Sequence, residues 1–141
     1  MLKTFDPKQT SLIFGAKIIS GFADGTYITV ERNEQLFNLK VGVDGEATRA
    51  KSNNLSGKVT FVLMQSAQSN DDLSAIALAD ELSNSGVLPL LAKDGSGTSI
   101  FSALTAWLQK FPNAEFAKEA STRTWVIETD NLQMFIGGNN A

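Results

Sequence analysis

Side chains able to do chemistry are few, and their spacing fits no catalytic template. The 141 residues hold no His and no Cys. That closes Ser-His-Asp and Cys-His nucleophile pairs and structural zinc sites, and it removes the side chain that titrates near neutral pH. Short constellations remain. Asp71 and Asp72 could form an acid pair, but Ser69-Asn70-Asp71-Asp72 also reads as a helix start. In that reading Ser69 is the N-cap, Asp72 takes the capping-box place and Asp71 lies near the positive end of the dipole. Gly57-Lys58 opens like a phosphate loop, yet Val59 follows where Ser or Thr is required, and no Gly stands five residues earlier. Gly95-Ser96-Gly97 lacks the spacing of a nucleophile elbow. Asp44 and Glu46 flank Gly45 without the third ligand a calcium loop needs. Asn54-Leu55-Ser56 matches the glycosylation triplet, which has meaning only in a secreted chain. Ser/Lys and carboxylate pairs need no His, and no spacing singles one out. Trp107 and Trp125 sit in alternating segments and fit core or interface anchors better than ligand stackers. These residues predict a non-enzymatic chain without cofactor or metal.

The elements that carry these residues are mostly strands. By length the chain is one domain, residues 1–141, able to bury roughly 68–70% of its unfolded surface without a disulfide or metal staple. Apolar residues make up 43% and charged residues 19%, an ordinary globular balance. Met1 to Pro7 lacks the apolar core of a signal peptide, and no stretch approaches the roughly 18 apolar residues of a membrane span. From Leu12 to Val41 the pattern has period two. Leu12-Ile13-Phe14 and Lys17-Ile18-Ile19 form a pair around Gly15-Ala16. Tyr27 to Arg32 and Phe37 to Val41 read as half-buried strands, joined as a hairpin through Asn33-Glu34-Gln35.

Residues 42–57 are polar and rich in Gly and Asn, an unusual length without structure inside a small domain. The segment is either a long hairpin arm or a plain loop. Lys58 to Gln65 reads as a strand buried on much of both faces. An amphipathic helix follows over about 71–83, anchored by Leu73, Ile76 and Leu82 and stopped near Gly86. Asp71, Asp72, Asp80 and Glu81 give it a polar outer face. Two strands flank the turn Asp94-Gly95-Ser96-Gly97, and Thr122 to Thr129 pairs with Leu132 to Ile136 across Asp130-Asn131. The expected fold is mainly β, an antiparallel sandwich or barrel with one flanking helix. A net charge of −3 argues against a nucleic-acid-binding face, which needs clustered Lys and Arg.

Longer runs say more. Gly21-Phe22-Ala23-Asp24-Gly25-Thr26-Tyr27-Ile28-Thr29-Val30-Glu31-Arg32-Asn33-Glu34 and Phe37-Asn38-Leu39-Lys40-Val41-Gly42-Val43-Asp44-Gly45-Glu46 closely resemble the tail tube proteins of contractile-tailed bacteriophages. Thr48-Arg49 to Asn53-Asn54, Val62-Leu63-Met64-Gln65 and Asn131-Leu132-Gln133-Met134-Phe135-Ile136-Gly137-Gly138 extend the likeness over nearly the whole chain. The tubes of type VI secretion and of contractile bacteriocins are similar in fold.

The resemblance implies a homo-oligomer of hexameric rings stacked into a tube, with strands joined into a continuous inner barrel and the helix outside. The implied partners are a contractile sheath outside, the tape-measure protein and then transiting DNA inside, and baseplate and terminator at the ends. The location would be the virion of a myovirus, after synthesis in the host cytoplasm, and the task genome ejection. The 42–57 arm would reach the adjacent ring through Asp44, Glu46, Arg49, Lys51, Asn53 and Asn54. Thr29, Glu31, Asn38, Lys40 and Thr60 would line the lumen, where an acidic average repels DNA; a one-residue register slip reverses that assignment. The helix's acidic face would meet the sheath or stay solvated. Alternatives from other classes are a monomeric β-sandwich binding module or carried effector, a His-free carboxylate hydrolase, and a related terminator, completion or secretion-tube protein.

Overall fold

Alternating apolar and polar residues build most of the strands. The computed structural model describes residues 2–139. After a 3-10 turn at Pro7–Gln9 come β1 (Thr10–Phe14), β2 (Lys17–Ile18), β3 (Ile28–Arg32), β4 (Phe37–Val41), β5 (Ala47–Lys51) and β6 (Gly57–Met64). Then follow α1 (Ser69–Ser83), β7 (Leu88–Asp94), β8 (Ile100–Leu108), β9 (Thr122–Thr129) and β10 (Gln133–Phe135). The fold is mainly β and antiparallel, as expected.

The main sheet runs β2-β1-β7-β8-β9-β6-β3, with β10 on β8. Ile100 to Ser102 of β8 pair with β10, whereas Ala106 to Leu108 pair with β9. The sheet therefore divides at β8 into two layers. Leu12, Phe14, Leu90 and Ala92 from one layer share a core with Val59, Phe61, Leu63, Trp125 and Ile127 from the other. Each fully buried large apolar side chain contributes roughly 1.5–3 kcal/mol.

The β1–β2 hairpin forms around Gly15 as expected, with Ile13 opposite Ile18 and Gly15 at φ 63. The hairpin expected between β3 and β4 does not. β3 pairs with β6, Thr29 opposite Thr60, and β4 pairs with β5, Leu39 opposite Arg49. Asn33-Glu34-Gln35 is instead part of a stalk, held by bonds from Asn33 N to Ser56 O (3.1 Å) and from Ser52 N to Leu36 O (2.9 Å). The arm accordingly spans 37–51, not 42–57. β10 likewise pairs with β8 rather than β9, because next to the turn both edges of β9 are taken, Ile127 to Thr129 pairing with β6 on one side and with β8 on the other.

α1 begins at Ser69, with Gln68 as a cap residue whose side chain makes no capping bond. The expected capping box is absent because Ser69 is buried and its Oγ accepts from Ser20 N at 2.9 Å. The helix stops at Asn84, not Gly86: Asn84 takes the left-handed conformation (φ 56), and its N–H donates to Asp80 O. Leu73 is 0% exposed and Ile76 packs against the core. Leu82 is 86% exposed. It lies about two and a half turns past Leu73, on the opposite side of the helix.

Candidate assembly surfaces

The arm is exposed along both of its strands. Both five-residue strands, β4 and β5, are exposed throughout, so the hairpin stands off the body. Directly opposed residues of an antiparallel pair project to the same side. Phe37, Leu39 and Val41 therefore share a face with Lys51, Arg49 and Ala47, and Asn38 and Lys40 share the other with Ala50 and Thr48. The guanidinium of Arg49 lies 3.8 Å from the centre of the Phe37 ring, a cation–π contact. Asp44 and Glu46 shape the tip, where Gly45 has φ 88, Gly42 N donates to Glu46 O, and Glu46 N donates to Asp44 Oδ1. Asn53 and Asn54 sit at the root, where Asn54 Oδ1 accepts from Ser56 N and Oγ. Of the six arm residues singled out by sequence, only Arg49 and Lys51 lie on the apolar face. The expected polar arm is thus half apolar, because its first strand, β4, contributes Phe37, Leu39 and Val41.

The layer β9-β6-β3 presents a second surface. Its inward residues alternate with Thr29 and Glu31 on β3, Lys58 and Thr60 on β6, and Thr124 and Glu128 on β9. Thr29 and Thr60 are direct neighbours, and Lys58 stands between Glu31 and Glu128, its Nζ 3.5 Å from Glu31. Two carboxylates and one ammonium leave this row at −1. Three of the residues expected in the lumen, Thr29, Glu31 and Thr60, lie together here, while Asn38 and Lys40 belong to the arm. The outer edge of β3 pairs with no strand among the described residues. Beside it an open cleft of about 370 Å³ is lined by Tyr27, Ile28, Val30, Ala92 and Phe101 among others.

The outward face of α1 is less polar than expected. Asp72 turns to Lys17 (3.9 Å), and Asp80 Oδ1 accepts from Gly86 N (3.1 Å). Ala75, Leu78, Ala79 and Leu82 are exposed instead.

Sequence reasoning missed two polar residues that set these surfaces. Arg123 is buried and makes no ion pair among the described residues. It donates to Ser121 Oγ, Thr122 O and Glu115 O and stacks near Phe116, bracing residues 115–122. Its signal was its place in the inward register of β9, in step with Trp125 and Ile127. Asn70 accepts from Trp125 Nε1 (3.0 Å) and donates to Met64 O, fixing the start of α1 to the paired strands β6 and β9.

A two-layer antiparallel β fold with a projecting hairpin carries these surfaces, and the family to which it belongs is a structural, non-enzymatic one. Residues 11–137 match the family model described as bacteriophage PhiTE tail tube protein, and the chain belongs to that family. Structural protein ORF10 of Pseudomonas phage KPP10 is 30% identical over 144 residues, covering 96% of this chain and 83% of that protein. Among solved structures, the tube-terminating cap of the anti-feeding prophage aligns with TM-score 0.62 at 8% identity, over 96% of this chain and 93% of the cap. A chain of the sheath-tube complex of the extracellular contractile injection system PVC aligns with TM-score 0.57 at 10% identity, over 94% of this chain and 91% of that one. At such identities the likeness is one of fold. The tail tube family places the protein in the phage tail, as a virion component.

Proposed function

We propose that the chain is the repeating subunit of a phage tail tube, forming hexameric rings that stack inside a contractile sheath and conduct the genome at ejection. The observation that carries this reading is the arm, whose exposed apolar strand face has no partner among the described residues. Unpaired β edges are a liability in a monomer, and ring closure removes them by pairing neighbours. Thr29, Glu31 and Thr60 face the lumen, where a row with net charge −1 holds DNA weakly. The sheath lies outside, the tape-measure protein inside until DNA replaces it, and baseplate and terminator cap the ends. Asp44, Glu46, Arg49 and Lys51 travel with the arm to the next ring.

The test replaces residues 37–51 with a short Gly-Ser turn, a change the stalk tolerates because Ser52 N already meets Leu36 O. Negative-stain microscopy should then show rings or monomers and no long tubes; normal tubes would sink the reading. A second reading, a tail terminator, is favoured by the cap's higher TM-score. It predicts rings that do not stack even in the unaltered protein.

A further inference from the structure

Two apolar surfaces lack a partner among the described residues, and their charges are opposite. On the arm, Phe37, Leu39 and Val41 are flanked by Arg49 and Lys51. Val43 at the tip, 111% exposed, extends this apolar surface. On α1, Ala75, Leu78 and Leu82 form an outward stripe at helical spacing, with Leu78 51% and Leu82 86% exposed. A helix apolar on both sides is ordinarily covered on both. Residues 69–83 hold four carboxylates and no Lys or Arg. Asp72 and Asp80 are engaged by Lys17 and Gly86; Asp71, exposed and accepting from Gln68 Nε2, and Glu81 lie beside the stripe. No basic residue occupies the last turn, where the helix dipole favours a cation.

We propose that the apolar face of the arm docks on the outward face of α1 in a second copy of this chain, Leu39 and Val41 against Leu78 and Leu82, with Arg49 and Lys51 meeting Glu81 and Asp71. This rests on the tube reading and names the receiving surface. A hairpin of five-residue strands reaches roughly 17–20 Å beyond its stalk at the usual rise per residue, enough to cross onto a neighbour. Docking would cover both faces at once and leave Thr48, Ala50, Asn38 and Lys40 toward solvent.

The experiment is charge reversal and its rescue in the purified full chain, without sheath. Glu81→Arg and Arg49→Glu should each lower pelletable polymer at least tenfold at a concentration where the unaltered protein assembles, with unchanged circular dichroism and melting. The double variant should recover most of it. Polymer from Glu81→Arg equal to the unaltered protein's would overturn the inference, and so would a double variant no better than the singles. The first result is also the one expected if the helix face serves the sheath alone. A photo-crosslinker at Leu39 gives an independent readout. Cross-linked peptides should fall within residues 69–87, and capture by the cleft at Tyr27, Ile28 and Phe101 would contradict the proposal. Absence of any assembly by the unaltered protein would remove the tube reading itself, before variants are compared.

Discussion

Leu73 and Leu82 lie on one helix, and truncating each to Ala should have opposite consequences. Leu73 is fully buried against the sheet. Leu73→Ala removes three outer carbons, worth about 2.4 kcal/mol at ~0.8 per carbon, and any unrelaxed cavity brings the loss toward 5 kcal/mol. Leu82, 86% exposed, has little area left to lose. The slightly better helix propensity of Ala offsets part of that, so the net change stays within about 0.5 kcal/mol. Urea unfolding, at a concentration too low for assembly, separates folding from association. The Leu73→Ala midpoint should fall with an unchanged slope, and that of Leu82→Ala should not move. Sedimentation at high concentration should show the reverse emphasis, with Leu82→Ala impaired in forming polymer. Equal destabilisation by the two substitutions would refute the placement of the helix. So would a neutral Leu73→Ala.

Further tests address the other surfaces. Arg123→Ala deletes the charged donor that braces residues 115–122, so cleavage at Lys118 in limited proteolysis should accelerate several-fold and stability fall by about 1.5–3 kcal/mol. Arg123→Lys should not restore either, since one ammonium does not reproduce the guanidinium's fork of donors. A Cβ at Gly57 would stand 2.6 Å from Glu31 O and from Leu132, so Gly57→Ala should loosen β3 from β6. It should cost about 1–3 kcal/mol in urea unfolding. Exchanging Glu31 and Glu128 for Lys turns the −1 row into +3; assembled protein should then retain duplex DNA at low salt and release it steeply as salt rises, whereas the unaltered protein should retain little.

Much of the fold was legible because one-sided burial writes itself as alternation. β6 buries Val59, Phe61 and Leu63, and β9 buries Trp125 and Ile127, each in step with its polar neighbours. The turns at Gly15 and at Asp94 to Gly97 carried their own chemistry. β4 shows where that logic stops. Phe37, Leu39 and Val41 alternate with Asn38 and Lys40 as a half-buried strand does, yet the strand is exposed throughout. Alternation reports that a face needs cover and not which molecule supplies it. Leu82 was misplaced for a related reason, since an apolar stripe on the far side of α1 looks like part of the core stripe in one dimension. At β8 a register shift against β7, between Leu88 and Leu90, exposes both Leu104 and Thr105 between buried Ala103 and Ala106. Such a bulge breaks the period without any Gly or Pro to announce it. The pairing of β10 with β8 depends on the split between layers, a long-range choice invisible in local pattern. Of the expected lumen residues, those on β3 and β6 stayed together because their register was right, and those on β4 left with the arm.

The central claim is that this chain builds a tube from copies of itself. Electron microscopy of the purified protein alone, across a concentration series, tests it most directly. Hexameric rings should stack into hollow tubes of constant diameter, with density for the arm bridging successive rings. Monomers persisting at the highest concentration, or rings that never stack, would contradict it.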